Sequence, residues 1–248
     1  MLAHTFDDVV VQLKDIIDWA QSAPSRLGYF PALYRKMTLR VQAAIAGGAF
    51  DDNARMAHVG VVFANRYLAA FDHYRRGHSP TRAWALSFQA AQQRWPIVSQ
   101  HLLLGMNAHI NLDLGIAMAR SVSREHLTQA QNDFNKINDI LAALVDEVQE
   151  ELTAIWPCYA VLDWLPDRHD EALINFSLQK ARDQAWRVAE RLISLPEMEQ
   201  DSVIEGLDVA VATFGHVVLH PGLLLGTALK IVRCGERGTI PAIIDILK

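Results

Sequence analysis

The stretch that decides the fold is residues 100–117, QHLLLGMNAHINLDLGIA. No formal charge occurs from Trp95 to Leu112, and leucines and other large apolar residues fall on every side of a helical axis. A helix that is apolar all round is buried by other elements of its own protein. The segment therefore predicts a central buried helix, from about Ile97 to Arg120, inside a multi-helix bundle.

Four polar residues interrupt this apolar helix at every second position. They are Asn107, His109, Asn111 and Asp113. Burying an unpaired polar group costs about 1–3 kcal/mol, and an unpaired charge costs more. These side chains must therefore have partners, either in neighbouring helices or in a bound molecule.

Helical geometry sorts the four residues into two pairs, each separated by four positions. Asn107 and Asn111 share one face, and His109 and Asp113 share a roughly opposite face. They form a single site only if the helix is broken, which Gly105 and Gly115 would allow.

The His109 and Asp113 pair has two interpretations. In the first, both side chains coordinate one divalent metal ion (Zn, Mn or Fe), since one helical turn brings them together. The second is a buried hydrogen bond that ties helices together. For Asn107 and Asn111 we expect hydrogen bonds to neighbouring helices, with contact to a substrate as the alternative.

Outward from this segment, the chain reads as helix nearly throughout. Apolar residues recur at helical spacing, proline and glycine separate the segments, and no alternating strand pattern of useful length occurs. Thr5 and Asp8 resemble a capping box, Pro31 is expected at a helix start, and Asp51 or Asp52 can cap a third helix. The sequence predicts a single all-α domain over residues 1–248, with about nine or ten helices.

Composition excludes several classes of protein. The 248 residues are 51% hydrophobic and 21% charged, with a net charge of -5, which excludes disorder and argues against nucleic-acid binding. Two cysteines exclude a disulfide scaffold and, with no targeting segment, favour the cytoplasm. Residues 209–229 carry no charge, but Pro221 divides them, so we expect two buried helix pieces and no transmembrane segment.

The motif Asn107-Ala-His-Ile-Asn-Leu-Asp-Leu-Gly115 resembles the signature of a bacterial family of functionally uncharacterised helical proteins. Further matches span residues 56 to 195. They are Phe63-Ala-Asn-Arg-Tyr67, Trp84, Leu102-Leu-Leu-Gly-Met106, Asp133-Phe134, Asn138, Pro157, Ala181-Arg182 and Ala185-Trp186. The resemblance implies an all-helical fold and the location of a site, and it implies no activity.

A second, local resemblance concerns chemistry. The His-x-x-x-Asp pair is similar to one in the helical zinc-dependent phospholipase C and P1 nuclease family. That family also supplies a His-x-x-x-Glu pair and an N-terminal Trp ligand, and this chain has neither. Under this hypothesis His216, four residues before His220, would replace the missing ligand pair. The simpler interpretation is that these are two histidines at a helix end with no role in metal binding.

Several further residues complete the candidate site. Arg66 and Arg182 are expected either to pair with Asp113 or Asp133 or to bind an anionic substrate group. Asp133 is a candidate catalytic residue that would face Asn107 and His109. Tyr67 and Trp186 are candidate substrate contacts beside the two arginines. His169-Asp170 is more simply a helix cap than a metal site.

Two functions remain open at this point. The first is a small-molecule enzyme, in particular a metal-dependent hydrolase in which His109 and Asp113 hold a metal ion that activates water. The second is a non-catalytic helical protein that binds a small ligand or a partner, with a structural polar centre. A homo-oligomer is compatible with either function.

Overall fold

A computed structural model describes residues 2–155 and 178–248 of the chain. Within those ranges all regular structure is helical, which confirms the predicted all-α bundle of about ten helices. The helices are α1 (Phe6–Ser22), α2 (Tyr29–Ala46), α3 (Asn53–Arg75), α4 (Arg82–Ala90), α5 (Val98–Ser121), α6 (Leu127–Ile155), α7 (Leu178–Ser194), α8 (Glu197–Leu219), α9 (Leu223–Gly235) and α10 (Ile240–Leu247). Predictions that concern Pro157, Cys158 and His169-Asp170 lie outside the described residues.

Local signals in the sequence set most of the helix starts. The Asp8 amide donates to Thr5 Oγ1 at 3.1 Å and the Thr5 amide donates to Asp8 Oδ2 at 3.0 Å, so the capping box is confirmed. Asp52 caps α3 by accepting from the Arg55 amide at 2.8 Å. Pro31 is not at the first position of α2, because a 3-10 turn at Arg26–Gly28 runs directly into a helix that starts at Tyr29.

Helix α5 is the buried centre of the bundle, as its apolar sequence predicts. It packs against α2, α3, α4, α7 and α8, and its Leu104, Leu112, Ile116 and Met118 side chains are fully buried. By length and composition alone, α5 and α8 could each cross a membrane. In the most apolar 18-residue stretch of each helix, 78% of α5 and 33% of α8 is buried inside the protein. Burial accounts for α5, since a core helix of a bundle passes the same test.

The middle of α5, Asn107–Leu114, is a π-helix. Glycines flank it at two points where a larger residue would collide with a neighbouring helix. A Cβ at Gly105 would lie 2.4 Å from the Phe30 ring of α2, and a Cβ at Gly115 would lie 2.7 Å from the Ala185 carbonyl oxygen of α7. Wider turns of this kind are rare and often occur at functional sites. The π-helix contains all four polar residues of the central motif.

Candidate functional site

The Asp113 carboxylate has partners on both of its oxygens. Arg66 Nε of α3 donates to Oδ1 at 2.6 Å, and Trp84 Nε1 of α4 donates to Oδ2 at 2.8 Å. Asp113 is 1% exposed and the Arg66 side chain is 18% exposed. We call these three residues the Asp113 cluster. The alternative that Asp113 pairs with a buried arginine is therefore the one found, and the cluster ties α3, α4 and α5 together.

His109 lies four residues before Asp113 on α5, about one turn earlier. The distance between His109 Nδ1 and Asp113 Oδ2 is 3.8 Å, which is too long for a hydrogen bond. The His109 ring stacks on Phe63 at a centroid distance of 3.6 Å, and Tyr34 meets it edge-on at 4.4 Å. The two side chains are therefore neighbours that make no hydrogen bond to each other.

The His109 imidazole is buried without hydrogen bonds. The residue is 3% exposed, and among the described residues neither Nδ1 nor Nε2 has a hydrogen-bond partner. Burial lowers the pKa of His109, and the nearby Asp113 carboxylate only partly opposes that effect. His109 is therefore neutral at pH 7, with one ring nitrogen able to donate and the other able to accept.

His109 lines a cavity of about 100 Å³. We call it the His109 cavity. Helices α1, α2, α3, α5, α6 and α7 surround it with Phe6, Phe30, Tyr34, Met37, Thr38, Val41, Met56, Val59, Gly60, Phe63, Met106, His109, Ile110, Leu114, Met118, Phe134, Ile137, Leu141 and Arg182. The wall is apolar apart from a few polar groups, which is the usual composition of a small-molecule site.

Four of the six methionines in the chain line the His109 cavity. Their flexible thioether side chains allow the wall to adapt to the shape of a bound molecule. Sequence reasoning missed this feature, as it missed Tyr34 and Thr38. The spread of methionines over α2, α3 and α5 is the signal that could have indicated an adaptable cavity.

Arg182 is the charged residue in the described wall of the cavity. It is 4% exposed and comes from α7. Its Nε donates to the Asn138 amide oxygen at 2.5 Å, its Nη2 donates to the Phe134 carbonyl oxygen at 2.6 Å, and its guanidinium lies 4.2 Å from the centre of the Phe134 ring. Burial lowers the pKa of Arg182 to about 10, so it stays protonated at neutral pH. The expected pairing with Asp113 or Asp133 does not occur.

The two asparagines of the motif form a chain of hydrogen bonds on the side of α5 that faces α8. Asn107 Nδ2 donates to the Val211 carbonyl oxygen of α8 at 2.9 Å, and Asn111 Nδ2 donates to Asn107 Oδ1 at 2.9 Å. The expected bond to a neighbouring helix is thus found for Asn107. For Asn111 the bond stays within α5. Neither residue lies in the described wall of the cavity.

Asp133 lies on α6 but faces the start of α3, not Asn107 and His109 as expected. It is fully buried and accepts from the amides of Asp51 at 2.7 Å and Asp52 at 3.0 Å and from Arg55 Nη2 at 3.0 Å. Burial opposes ionisation, yet these donors hold the pKa of Asp133 below its usual value. Its contacts are those of a residue that joins α6 to α3.

The remaining predicted site residues lie apart from the cavity. Tyr67 packs between Phe30 and Trp84 and lines a separate cavity of about 20 Å³. Trp186 donates to Glu190 at 3.0 Å within α7. His216 is exposed on α8 with its ring 6.4 Å from that of His220. Among the side chains that the structure describes, which leave out residues 142–149, 152–153 and 156–177, no group of three or more His, Cys, Asp or Glu is placed to hold a metal ion.

A family model with the description "Family of unknown function (DUF5995)" matches residues 6–221. The chain belongs to the DUF5995 family. The matched span contains the Asp113 cluster and the described wall of the His109 cavity, so both are features of the family's part of the chain. Neither a curated protein nor a solved structure shows a significant match. The expected membership of an uncharacterised helical family is confirmed, and the local similarity to zinc-dependent phospholipases stays a prediction.

Proposed function

We propose that this DUF5995 protein binds a small, mostly apolar molecule in the His109 cavity, with the neutral His109 imidazole hydrogen-bonded to a polar atom of that molecule. The observation that carries the proposal is the burial of His109 with no described partner for either ring nitrogen. Most buried polar side chains in proteins have partners, and each exception calls for an explanation. A ligand in the cavity supplies one.

The other polar residues of the motif support His109 as the ligand-binding residue, because their hydrogen bonds are already made within the protein. Asp113 has Arg66 and Trp84, and Asn107 has Val211 and Asn111. These groups already make their hydrogen bonds inside the protein and serve to hold α3, α4, α5 and α8 together. His109 differs from them because it lines the cavity and neither of its ring nitrogens has a described partner, so it is the member of the motif that is left for a ligand.

The experiment uses the cavity methionines as reporters. Methyl groups of Met37, Met56, Met106 and Met118 line the cavity, whereas Met198 is 95% exposed on α8 and serves as an internal reference. Titration with phenol, compared with benzene, is followed by methyl NMR of the folded full-length chain. We expect shifts at the cavity methionines and tighter binding of phenol, because only phenol can hydrogen-bond His109.

His109→Phe is expected to remove the preference for phenol while the protein stays folded. His101→Phe is the matched control, since it replaces another buried histidine outside the described wall of the cavity. Shifts at Met198 alone, or none at any cavity methionine with either probe, would show that the proposal is wrong.

We keep a metal-dependent hydrolase as a second proposal. What favours it is the same pair of His109 ring nitrogens, with the Asp113 carboxylate 3.8 Å away. Asp113 would have to give up Arg66 or Trp84 to bind Zn, Mn or Fe. Elemental analysis of untagged protein and titration with each metal test the idea: one equivalent that is lost in His109→Ala supports it, and the absence of any bound metal refutes it.

A cytoplasmic location and the absence of a membrane-spanning segment belong to the same set of proposals. Burial of α5 inside the bundle supports them, as does the reading of α8 and α9 as separate helices divided near Pro221. Cell fractionation with the intact chain tests the location, and recovery in the membrane fraction would contradict it.

A further inference from the structure

Arg182 differs from Arg55 and Arg66 in the charge of its partners. Arg66 pairs with the Asp113 carboxylate and Arg55 pairs with the Asp133 carboxylate. The direct contacts of Arg182 are two neutral oxygens and the face of one aromatic ring, and the carboxylate that acts on it electrostatically, Asp183, is exposed on the same helix and makes no ion pair with it. A buried cation is stabilised best by an anion, because a neutral oxygen cannot compensate the full charge removed from water.

Arg182 also retains hydrogen-bonding capacity. A guanidinium has five N–H donors, and two of them meet Asn138 and Phe134. Among the described residues the other three make no hydrogen bond, and the side chain forms part of the cavity wall. Arginine matches a carboxylate in shape as well as charge, since two parallel N–H donors can reach both oxygens.

The cavity wall itself selects against a cation. Its described residues include no Asp or Glu, and the nearest acidic member of the central motif, Asp113, is neutralised by Arg66. The volume of about 100 Å³ is somewhat less than the roughly 150 Å³ of an engineered apolar cavity that binds benzene. The fitting molecule is therefore small, apolar over most of its surface and able to present one anionic group to Arg182.

We infer that the ligand of the His109 cavity is a small monocarboxylic acid with an apolar body, whose carboxylate is bound by Arg182. This inference rests on the proposed function and adds the chemical class of the ligand. His109 contributes a hydrogen bond as a neutral imidazole, and Arg182 contributes the charge. Asn138 and Phe134 act as positioning residues, since their oxygens fix the direction of the guanidinium.

The test compares each acid with its own uncharged amide, so that size and shape stay constant. Isobutyrate is titrated against isobutyramide, and benzoate against benzamide, with the cavity methionine methyl groups as reporters and Met198 as the reference. We expect each acid to bind about tenfold or more tightly than its amide, as a charge-assisted hydrogen bond requires.

Arg182→Gln is expected to reduce the acid-to-amide ratio to near one while binding of the amide persists. Arg187→Gln is the control, because Arg187 lies on the same helix and is exposed. Circular dichroism checks that both variants fold; if Arg182→Gln does not, the acid-to-amide ratio of the wild-type protein decides the question.

The outcomes separate the two proposals. An amide that binds in the cavity as tightly as its acid overturns the carboxylate inference and leaves the proposed function standing. If neither acids, amides nor phenol shift the cavity methionines, the proposed function fails and the inference fails with it. An acid preference that survives in Arg182→Gln shows that another group binds the carboxylate and overturns the role of Arg182.

Discussion

Two polar side chains of the same π-helical segment, Asp113 and His109, differ in whether they have hydrogen-bond partners. In the Asp113 cluster, both carboxylate oxygens are bonded by Arg66 and Trp84 from two other helices. At His109, one turn earlier, aromatic rings replace hydrogen-bond partners and a cavity begins. Two arginines differ in the same way: Arg66 forms an ion pair with a carboxylate, whereas Arg182 donates hydrogen bonds to neutral oxygens. The polar residues of a buried helix therefore do not all have the same role: Asp113 makes complete bonds that hold helices together, whereas His109 lacks partners and lines a cavity.

The largest expected effect lies in the Asp113 cluster. Asp113→Asn leaves Arg66 buried for the most part without its counter-charge, and we expect unfolding free energy to fall by about 3 kcal/mol, near the low end for a broken buried pair because Arg66 is partly exposed. Urea denaturation followed by circular dichroism measures the loss. Arg66→Met combined with Asp113→Asn should recover part of it. A loss below about 1 kcal/mol would break the comparison, because the cluster would then not be structural.

The second largest effect is expected at Asn107. Asn107→Leu removes the bond to the Val211 carbonyl oxygen and leaves Asn111 without its acceptor, at a cost of about 1–3 kcal/mol. The leucine must also fit beside Gly215 of α8, because even a Cβ atom on Gly215 would lie 3.3 Å from the Nδ2 atom of Asn107. Asn111→Leu, which is half-buried and bonds only within α5, should cost less in the same denaturation experiment. Equal losses would mean that the bond between α5 and α8 contributes nothing.

The fold was largely predictable from sequence because its determinants are local. The apolar surface of α5 requires burial on all sides, and the Thr5 and Asp8 side chains bond amides within one turn. The π-helix at Asn107–Leu114 was not predicted, because the spacing of its apolar residues is read equally well as an α-helix. The four-residue spacing placed His109 beside Asp113 and produced the metal hypothesis, but spacing could not show that Arg66 and Trp84 already bond both oxygens of the Asp113 carboxylate.

The candidate site could be located from sequence but not resolved into its parts. The embedding of His109 and Asp113 in an apolar helix correctly marked a polar centre. The partners of Asp113 lie 47 and 29 residues away in sequence, and the cavity wall comes from six helices, so neither follows from spacing. Asp133 shows the same limit, since its bonds to the Asp51 and Asp52 amides depend on the packing of α6 against the turn before α3.

A pH series sharpens the comparison by testing whether His109 is neutral. Burial lowers the pKa of His109, and burial lowers that of His101 to about 3. Below pH 6.5 the unfolded chain takes up protons at these histidines and the native protein does not, so stability falls as pH decreases, by up to about 1.4 kcal/mol per pH unit for each residue. Urea melts at pH 7.5, 6 and 5 measure the slope.

His109→Phe and His101→Phe should each make that slope shallower, because each removes one histidine that stays neutral in the native state. His216→Gln changes an exposed histidine and is the control for the loss of a histidine as such. If wild type and His109→Phe lose stability equally between pH 6.5 and 5, then His109 takes up its proton in the folded protein, and the contrast with Asp113 is wrong in its charge assignment.

The smallest expected effect on stability is the most informative for function. His109→Phe at pH 7.5 replaces a ring that stacks on Phe63 at 3.6 Å with another flat ring, and it removes two nitrogens that have no partner among the described residues. The unfolding free energy should stay the same or rise by about 1 kcal/mol, since residues held for binding are often kept at some cost to stability.

Denaturant melts of His109→Phe and Asp113→Asn in parallel therefore decide between the two roles. If His109 faces a ligand and Asp113 is structural, the unfolding free energy should hardly change in His109→Phe and should fall strongly in Asp113→Asn. Only His109→Phe should also lose the preference for phenol over benzene. A loss above about 2 kcal/mol in His109→Phe would mean that the imidazole makes bonds the fold depends on, because removing an unpartnered polar group cannot cost that much. His109 would then belong with the Asp113 cluster, and the cavity would lose its polar contact.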